Sequence, residues 1–409
     1  MKTFFHVTDL DTVFSHISSF SDIGTETVYL GEAMGRVLAK DMDCNENLPG
    51  FIRSTMDGYA VRAASTFGAS ESNPAYLSIK GSVTMGMRPE VTLGIGGAAR
   101  IATGGALPEG ADSVIMVEHT EVVDDITIEV YKSVAPGQHV IQAGEDFKAG
   151  QRILSRGQSL RSQEIGLLAA FGHVDVPVFK QPVVGILSTG DELVTVTQKP
   201  NFGQVRDINS FSLAALVNAA GGRAVPYGII NDDLTAIQEA CAWTHRETDM
   251  LIISGGSSVG LRDYVLDAVS NLPDAEVLLH GVPISPGKPT ILARSAGKPV
   301  WGLPGHVVSA MIVFEIVVKP FLEKLCGLAP DQRRKWPIPA RLARNIASTQ
   351  GRTDFVRVRL AQKNGEYWAE PIPGKSGLIH TLVQADGILA IDKNSEGLEK
   401  GARVQVIPI

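Results

Sequence analysis

Four short apolar runs in the second half of the chain are each followed by residue types suited to anions or metals rather than to a core. Val183 to Ser188 leads into Thr189-Gly190-Asp191-Glu192, and Arg223 to Ile230 into Asn231-Asp232-Asp233. Met250 to Ser254 leads into Gly255-Gly256-Ser257-Ser258-Val259-Gly260 and then Arg262-Asp263, and Val300 to Leu303 into Pro304-Gly305. A glycine-rich turn near a helix N-terminus offers several backbone N–H groups and so suits a phosphate or another oxyanion. Carboxylates around such an anion repel it unless a cation intervenes, and Mg²⁺ is the hard, oxygen-seeking choice. Asp191, Glu192, Asp232, Asp233 and Asp263 are the candidates for that acidic rim. In Ser285-Pro286-Gly287-Lys288-Pro289 two prolines constrain the backbone and would aim the single cation, Lys288.

Each segment also has an ordinary structural use. The loop from Ser254 to Gly260 is not a phosphate-binding Walker loop. Gly255 and Gly260 have the right separation, but Leu261 and Arg262 stand where Lys and Ser or Thr are required. It is not GxGxxG either, and a bare strand-to-helix turn fits it as well. Asp233 suits a helix N-cap, Asp57-Gly58 a turn, and Lys288 a solvated surface position. The nine histidines have no metal-ligand spacing and read as structural, and no Ser/His/Asp or Cys/His arrangement stands out. What favours a site is position, since ligands of an open parallel sheet bind beyond the carboxyl ends of its strands.

The elements that would carry these loops follow from periodicity and punctuation. From about 182 to 330, strands alternate with helices. Asn209 to Ala220 is a helix capped by Asn209 or Ser210 and stopped by Gly221-Gly222; Asp233 caps another through Thr244; Asp263 to Ser270 is a third. Thr290 to Ala293 is a further strand, and His306 to about Leu325 is one long buried helix. This alternation implies right-handed crossovers and a largely parallel sheet covered on both faces. Upstream, Leu10, Val13, Phe14 and Ile17 have helical spacing, and residues 160 to 172 form a helix. Between about 46 and 147, short β-rich runs alternate with Gly/Pro turns, as in a small barrel or sandwich. Pro330 to Arg341 is basic and Pro-interrupted and reads as a linker. It leads to a last β module with strands at Phe355 to Leu360, Tyr367 to Pro371, Gly387 to Ile391 and Arg403 to Ile407.

A chain of 409 residues suggests two to four domains. With 44% hydrophobic and 20% charged residues it has material for a large core, which excludes global disorder. Its formal net charge of −7 disfavours sequence-independent nucleic-acid binding. Cys44, Cys241 and Cys326 are scattered, without CxxC spacing, so a disulfide framework or a zinc site is not expected. The expected compartment is a reducing cytoplasm. No signal peptide and no membrane span are expected.

Seven ordered strings carry a resemblance. They are Ser54-Thr-Met-Asp-Gly-Tyr-Ala-Val61, Ala102-Thr-Gly-Gly-Ala-Leu-Pro-Glu-Gly-Ala-Asp112, Gly144-Glu-Asp146, Ser188-Thr-Gly-Asp-Glu-Leu193, Ser254-Gly-Gly-Ser-Ser-Val-Gly260, Pro286-Gly-Lys-Pro289 and Gly302-Leu-Pro-Gly305. Over nearly the whole chain it resembles the MoeA and gephyrin E-domain family of molybdenum insertases. The resemblance implies a molybdopterin molybdenumtransferase of molybdenum cofactor biosynthesis. Such an enzyme takes molybdenum from molybdate into adenylylated molybdopterin with Mg²⁺, releasing molybdenum cofactor and AMP. It implies a multidomain α/β plus β fold: a doubly wound, mostly parallel α/β domain of molybdopterin-binding type, residues 1–19 and 180–329; a hinge, 20–45 and 148–179; an inserted β-rich module, 46–147; and a C-terminal β-barrel, 330–409. It implies a homodimer whose cleft lies between the α/β domain of one subunit and the β module of the other. A molybdopterin adenylyltransferase upstream and apo-molybdoenzymes downstream would be transient partners.

By resemblance the catalytic residues are Asp57, Thr103, Glu192, Asp232, Asp263 and Lys288, with Glu192, Asp232 and Asp263 as metal ligands. The cofactor would be held by Ser254, Gly255, Gly256, Ser257, Ser258, Gly260, Pro304, Gly305 and Ser376. Three positions depart from the family pattern. Ser285 replaces the first Lys of Lys-Pro-Gly-Lys-Pro. His306-Val307 replaces Asn-Pro after Leu-Pro-Gly. Val140-Ile141-Gln142-Ala143 before Gly144 lacks the usual basic residue. Each removes a positive charge or a turn-fixing proline around an anionic ligand. The alternative is therefore a divergent or non-catalytic molybdopterin-binding paralogue, or one that handles tungsten.

Overall fold

The computed structural model describes residues 7–255, 264–333 and 336–409. Gly256, Ser257, Ser258, Gly260 and Asp263 of the expected site lie outside the described residues. The chain divides into two compact units, Met1–Lys40 with Arg156–Ile409, and Asp41–Ser155.

The larger unit is built on a six-stranded sheet. Its strands are β1 (Val183–Thr189), β2 (Arg223–Ile230), β3 (Met250–Ser254), β4 (Glu276–His280), β5 (Ile291–Ser295) and β6 (Lys298–Leu303), in the spatial order β2-β1-β3-β6-β5-β4. The β2, β1, β3 and β6 strands are mutually parallel. The last two pairings, β6 with β5 and β5 with β4, are antiparallel. The Thr290 to Ala293 run thus belongs to a hairpin with β6, because the Ala296-Gly297 turn is too short for a parallel crossover. Strand β4 carries no strong alternation and was not expected. The expected Asn209 or Ser210 cap is also revised. Helix α1 (Asn209–Ala219) has Ile208 at its N-cap position, and the Asp207 carboxylate instead accepts from the Ser210 N–H. Asp233 does cap helix α2 (Leu234–Glu247), accepting from the Ala236 N–H.

Strand side chains alternate between faces, and both faces are covered. Val184, Ile186, Ile252, Trp301 and Leu303 pack with Leu213 and Val217 of α1 and with the segment from Val307 to Leu325. Leu187, Leu251, Ile253 and Val300 pack on the opposite face with Ile237 and Cys241 of α2 and with Val265 and Ala268 of helix α3 (Tyr264–Ser270). Val13 of the Leu10–Ser15 helix and Phe20 join the first cluster. The single helix expected from His306 to Leu325 is helical throughout but not uniform. A π turn at Phe314–Val318 separates Val307–Val313 from Lys319–Leu325. Pro320 removes one N–H from the ladder just beyond that turn.

The end of the chain is a closed five-stranded β-barrel. Its strands are β7 (Ile338–Leu342), β8 (Thr353–Lys363), β9 (Glu366–Pro371), β10 (Gly387–Ile391) and β11 (Arg403–Pro408), paired in the ring β8-β9-β7-β11-β10-β8. The linker expected from Pro330 to Arg341 therefore ends early, since its last residues form β7. Pro339 is tolerated there because it lies near the start of the strand. In the smaller unit, a six-stranded sheet has Gly58–Val61 at its interior, between Ser113–Met116 and Gly97–Ile101. The sequence suggested only a turn at Asp57-Gly58.

Three aromatic rings brace the larger core: Trp301 meets Phe321 edge-on at 5.0 Å, and Phe20 meets Phe321 at 5.7 Å. All three are almost wholly buried. Phe321→Ala is expected to cost about 3–5 kcal/mol, measured as a lowered urea midpoint followed by Trp fluorescence.

Candidate functional site

Register decides where the loops emerge. Ser188 pairs with Ser254, Ser254 with Leu303, and Thr189 with Ile230, so the four parallel strands end level. Because β5 runs the other way, its start at Ile291, opposite Gly302, puts the Lys288 turn on the same edge. Beyond that edge lies a cleft of about 1050 Å³. Among its lining residues are Glu192, Asp232, Ser254, Gly255, Lys288, Pro304, Gly305 and Ser376, together with two of the three departures, Ser285 and His306-Val307. Asp57 and Thr103 lie in the smaller unit.

Two glycines of the cleft are required by geometry. Gly255 has φ of +123°, and a Cβ there would stand 2.2 Å from the Thr189 carbonyl oxygen. Gly287 has φ of +122°, and a Cβ there would stand 2.4 Å from Val313. Any side chain at Gly255 would push β1 and β3 apart where both open into the cleft.

The acidic side of the cleft is electrostatically strained. The Asp232 carboxyl is held above its usual range, first by burial and then by the negative charges of Asp191 and Glu192. The Asp191 carboxylate accepts from the Asp232 N–H at 3.1 Å, while Asp232 Oδ1 is buried without a partner. Such an oxygen suits a cation or a donor on a ligand. Among the described residues, no three His, Cys, Asp or Glu side chains form a metal-binding group.

The cleft also carries cations. Besides Lys288, the cleft is lined by Arg206 and Arg352, which the sequence reading did not single out. Arg352 is ion-paired with Asp354 at 2.9 Å. Its position follows from the two-residue strand Ile284–Ser285, which pairs in parallel with Thr353–Asp354 at the start of β8. The barrel also supplies Ser376, whose Oγ lies 2.9 Å from His306 Nδ1, and whose carbonyl accepts from the Val308 N–H. His306, expected to be structural, therefore stands in the cleft.

Beneath the cleft runs a buried polar network. Ser210 Oγ donates to Asp207 and lies 2.9 Å from Ser188 Oγ, and Asn209 Nδ2 donates to Ser254 Oγ at 2.7 Å and to the Gly305 carbonyl at 2.8 Å. Sequence reasoning missed Asp207 and Asn209 as site residues. The available signal was a polar Asp-x-Asn-Ser stretch opening an otherwise apolar helix.

In the smaller unit, Asp57 Oδ1 accepts from both the N–H and the hydroxyl of Thr103, at 2.7 and 2.8 Å. These bonds, the backbone one first, hold the Asp57 carboxyl below its usual range. Asp57 is thus an oriented carboxylate, ionised at neutral pH.

Family models match the chain in three consecutive stretches: the MoeA N-terminal region (domains I and II) over residues 8–172, a probable molybdopterin binding domain over 185–324, and the MoeA C-terminal region (domain IV) over 339–409. A putative molybdopterin biosynthesis protein of Methanocaldococcus jannaschii is 36% identical over 405 residues, covering 96% of this chain and 95% of the relative. A molybdopterin molybdenumtransferase of Bacillus subtilis is 32% identical over 389 residues, covering 94% and 90%. A crystal structure of a molybdopterin biosynthesis MoeA protein from Pyrococcus horikoshii OT3 superposes with a TM-score of 0.78 at 32% identity, covering 98% of each chain.

The raised Asp232 carboxyl carries a signed prediction. A group with a raised folded-state pKa favours the fold while protonated, and that contribution is lost as pH rises through the raised value. Asp232→Asn should therefore remain more stable than wild type at pH 7, by about 1–2 °C in Tm. The gap should close as pH falls below the ordinary carboxylate range. Thermal melts of both proteins between pH 3 and 7 measure it. A variant less stable than wild type at pH 7 would contradict the electrostatic reading.

Proposed function

We propose, from the premise that this chain belongs to the MoeA family and is a molybdopterin molybdenumtransferase of molybdenum cofactor biosynthesis, that its cleft holds adenylylated molybdopterin and molybdate. The observation that carries this reading is the convergence, on one sheet edge, of an acidic side, a cationic turn and a glycine-tight strand end. Adenylylated molybdopterin is a polyanion with a phosphoanhydride, and molybdate is a dianion. Lys288 and Arg352 suit the anionic groups, while the backbone at Gly255 and Gly305 allows close approach. Ser376, tied to His306, offers a hydroxyl at the barrel side.

Glu192 and Asp232 fit a hard divalent cation, because Asp232 has a buried unpartnered oxygen and a carboxyl raised by its neighbours' charge. By family resemblance Asp263 would be the third ligand. Bound Mg²⁺ would offset the repulsion between carboxylates and phosphate and polarise a phosphoryl oxygen. The remaining work falls to the protein. Lys288 and the strand-end amides orient the anion, and Asp57, kept ionised by Thr103, is an oriented base or ligand. By the same resemblance we assign residues 1–19 with 180–329 to the α/β domain and 20–45 with 148–179 to a hinge. Residues 46–147 form the β module and 330–409 the barrel domain. We further propose a cytoplasmic homodimer, fed by an adenylyltransferase and emptied by apo-molybdoenzymes. Among the described residues no helix is long and apolar enough to cross a membrane.

Turnover of adenylylated molybdopterin with molybdate and Mg²⁺ should release AMP, measured by chromatography, and EDTA should abolish the release. AMP release unchanged in EDTA would give the acids another role.

The second reading, a divergent or tungsten-handling paralogue, is favoured by Ser285, which lines the cleft where the family usually carries a cation. On that account Ser285→Lys should tighten molybdate or tungstate binding about tenfold, the ~1.4 kcal/mol of one well-placed charge. Calorimetry of both proteins with each oxyanion reads this. Equal affinities would mean that Arg352 and Lys288 already satisfy the anion.

A further inference from the structure

Asn209 has no role in the catalytic reading above, yet it is the side chain that joins the two strand-end loops of the cleft. It lies at the first turn of α1 and is 8% exposed. Its single donor nitrogen serves two acceptors, Ser254 Oγ at the end of β3 and the Gly305 carbonyl in the turn after β6. A carbonyl oxygen can only accept, so the amide cannot be reversed without placing oxygen against oxygen. The orientation is thereby fixed, and Asn209 Oδ1 is left as a buried acceptor without a partner, in a residue that lines the cleft. The helix start that carries Asn209 is itself immobilised. Ser210 is bonded through both its N–H and its hydroxyl to the buried Asp207 carboxylate, and its hydroxyl meets Ser188 at the end of β1.

The backbone links between the same two loops are weak by comparison. The Gly255 N–H donates to the Leu303 carbonyl at 3.2 Å, the last rung between β3 and β6. Beyond it, Gly255 and Gly305 approach closely enough that a Cβ on Gly305 would stand 3.5 Å from the Gly255 Cα. Neither glycine has a side chain with which to hold that approach.

We propose that Asn209 is a positioning residue: it clamps the Ser254-Gly255 strand end to the Pro304-Gly305 turn, so that both face the substrate as one preset surface. The proposal rests on the substrate reading above for its kinetic consequence, but not for its structural one. Without the clamp, each turn must be ordered by the ligand, and the cost appears in binding rather than in the chemical step.

Two measurements on the full-length protein test this separately. Amide hydrogen exchange, read without ligand, should quicken about tenfold at Gly255 and in the 304–308 segment of Asn209→Ala, with the centre of β1 and β3 unchanged, as expected for loss of a local opening cost of ~1.4 kcal/mol. Steady-state turnover of adenylylated molybdopterin should show KM raised about tenfold and kcat within about twofold of wild type. Ser254→Ala removes one of the two acceptors and leaves Gly305 held, so ligand-free exchange at Gly255 and in the 304–308 segment should quicken less. Adding it to Asn209→Ala should have little further effect on that exchange. That non-additivity keeps the test valid if Asn209→Ala is less stable overall. Unchanged exchange at both loops, or faster exchange with KM unchanged, overturns the proposal. Fully additive effects of the two substitutions on ligand-free exchange overturn it too. If wild type fails to turn over the substrate, the functional reading falls, and the exchange result alone decides the clamp.

Discussion

Ser188, Ser254 and Leu303 are register partners across three adjacent parallel strands, and the site depends on that alignment. Slipping one strand by a single residue would move its buried side chains to the other face. Both faces are packed, with Ile252 and Trp301 on one side and Ile253 and Val300 on the other, so no slip is tolerated. The hydrophobic pattern of the strands thus acts as the ruler that brings Thr189, Gly255 and Pro304 to one level.

Charge at that level is deliberately divided. Carboxylates follow β1 and β2, where Asp232 is held above its usual range by burial and by its acidic neighbours. Lys288 comes from the antiparallel side of the sheet, Arg352 from the segment entering the barrel, and Arg206 from the stretch after β1. The antiparallel connection from β4 to β5 is what allows this. It lies at the carboxyl edge and holds Lys288 there, which a parallel crossover to the far edge would not. The short pairing of Ile284–Ser285 with the start of β8 then brings Arg352 to the same cleft. Arg352 lines the cleft while ion-paired with Asp354.

The buried network around Asp207, Ser188, Ser210 and Asn209 bears on preorganisation. A glycine-lined site gains close approach to a ligand and loses stiffness, because glycine restrains its own backbone least. Gly255 cannot be replaced, since a Cβ would strike the Thr189 carbonyl. Rigidity has to come from a neighbouring side chain, and Asn209 is bonded to both loops.

The sequence by itself determined the alternation of strands and helices, the ends of the parallel strands and the family. These are local or nearly local: apolar runs, capping acids such as Asp233, and motif strings at fixed spacing. It also named Glu192, Asp232, Ser254 and Lys288, because each directly follows or precedes a recognisable strand. Other features were decided only by tertiary structure. The strand Gly58–Val61 reads as a turn until its neighbours pair with it, and β7 reads as linker until the barrel closes around it. Asn209 reads as a helix cap until Ser254 and Gly305, 45 and 96 residues away, are brought to its amide. Arg352, His306 and Ser376 share a cleft through pairings between segments distant in the chain. Local periodicity carries no information about such contacts, because their geometry is set by packing rather than by spacing.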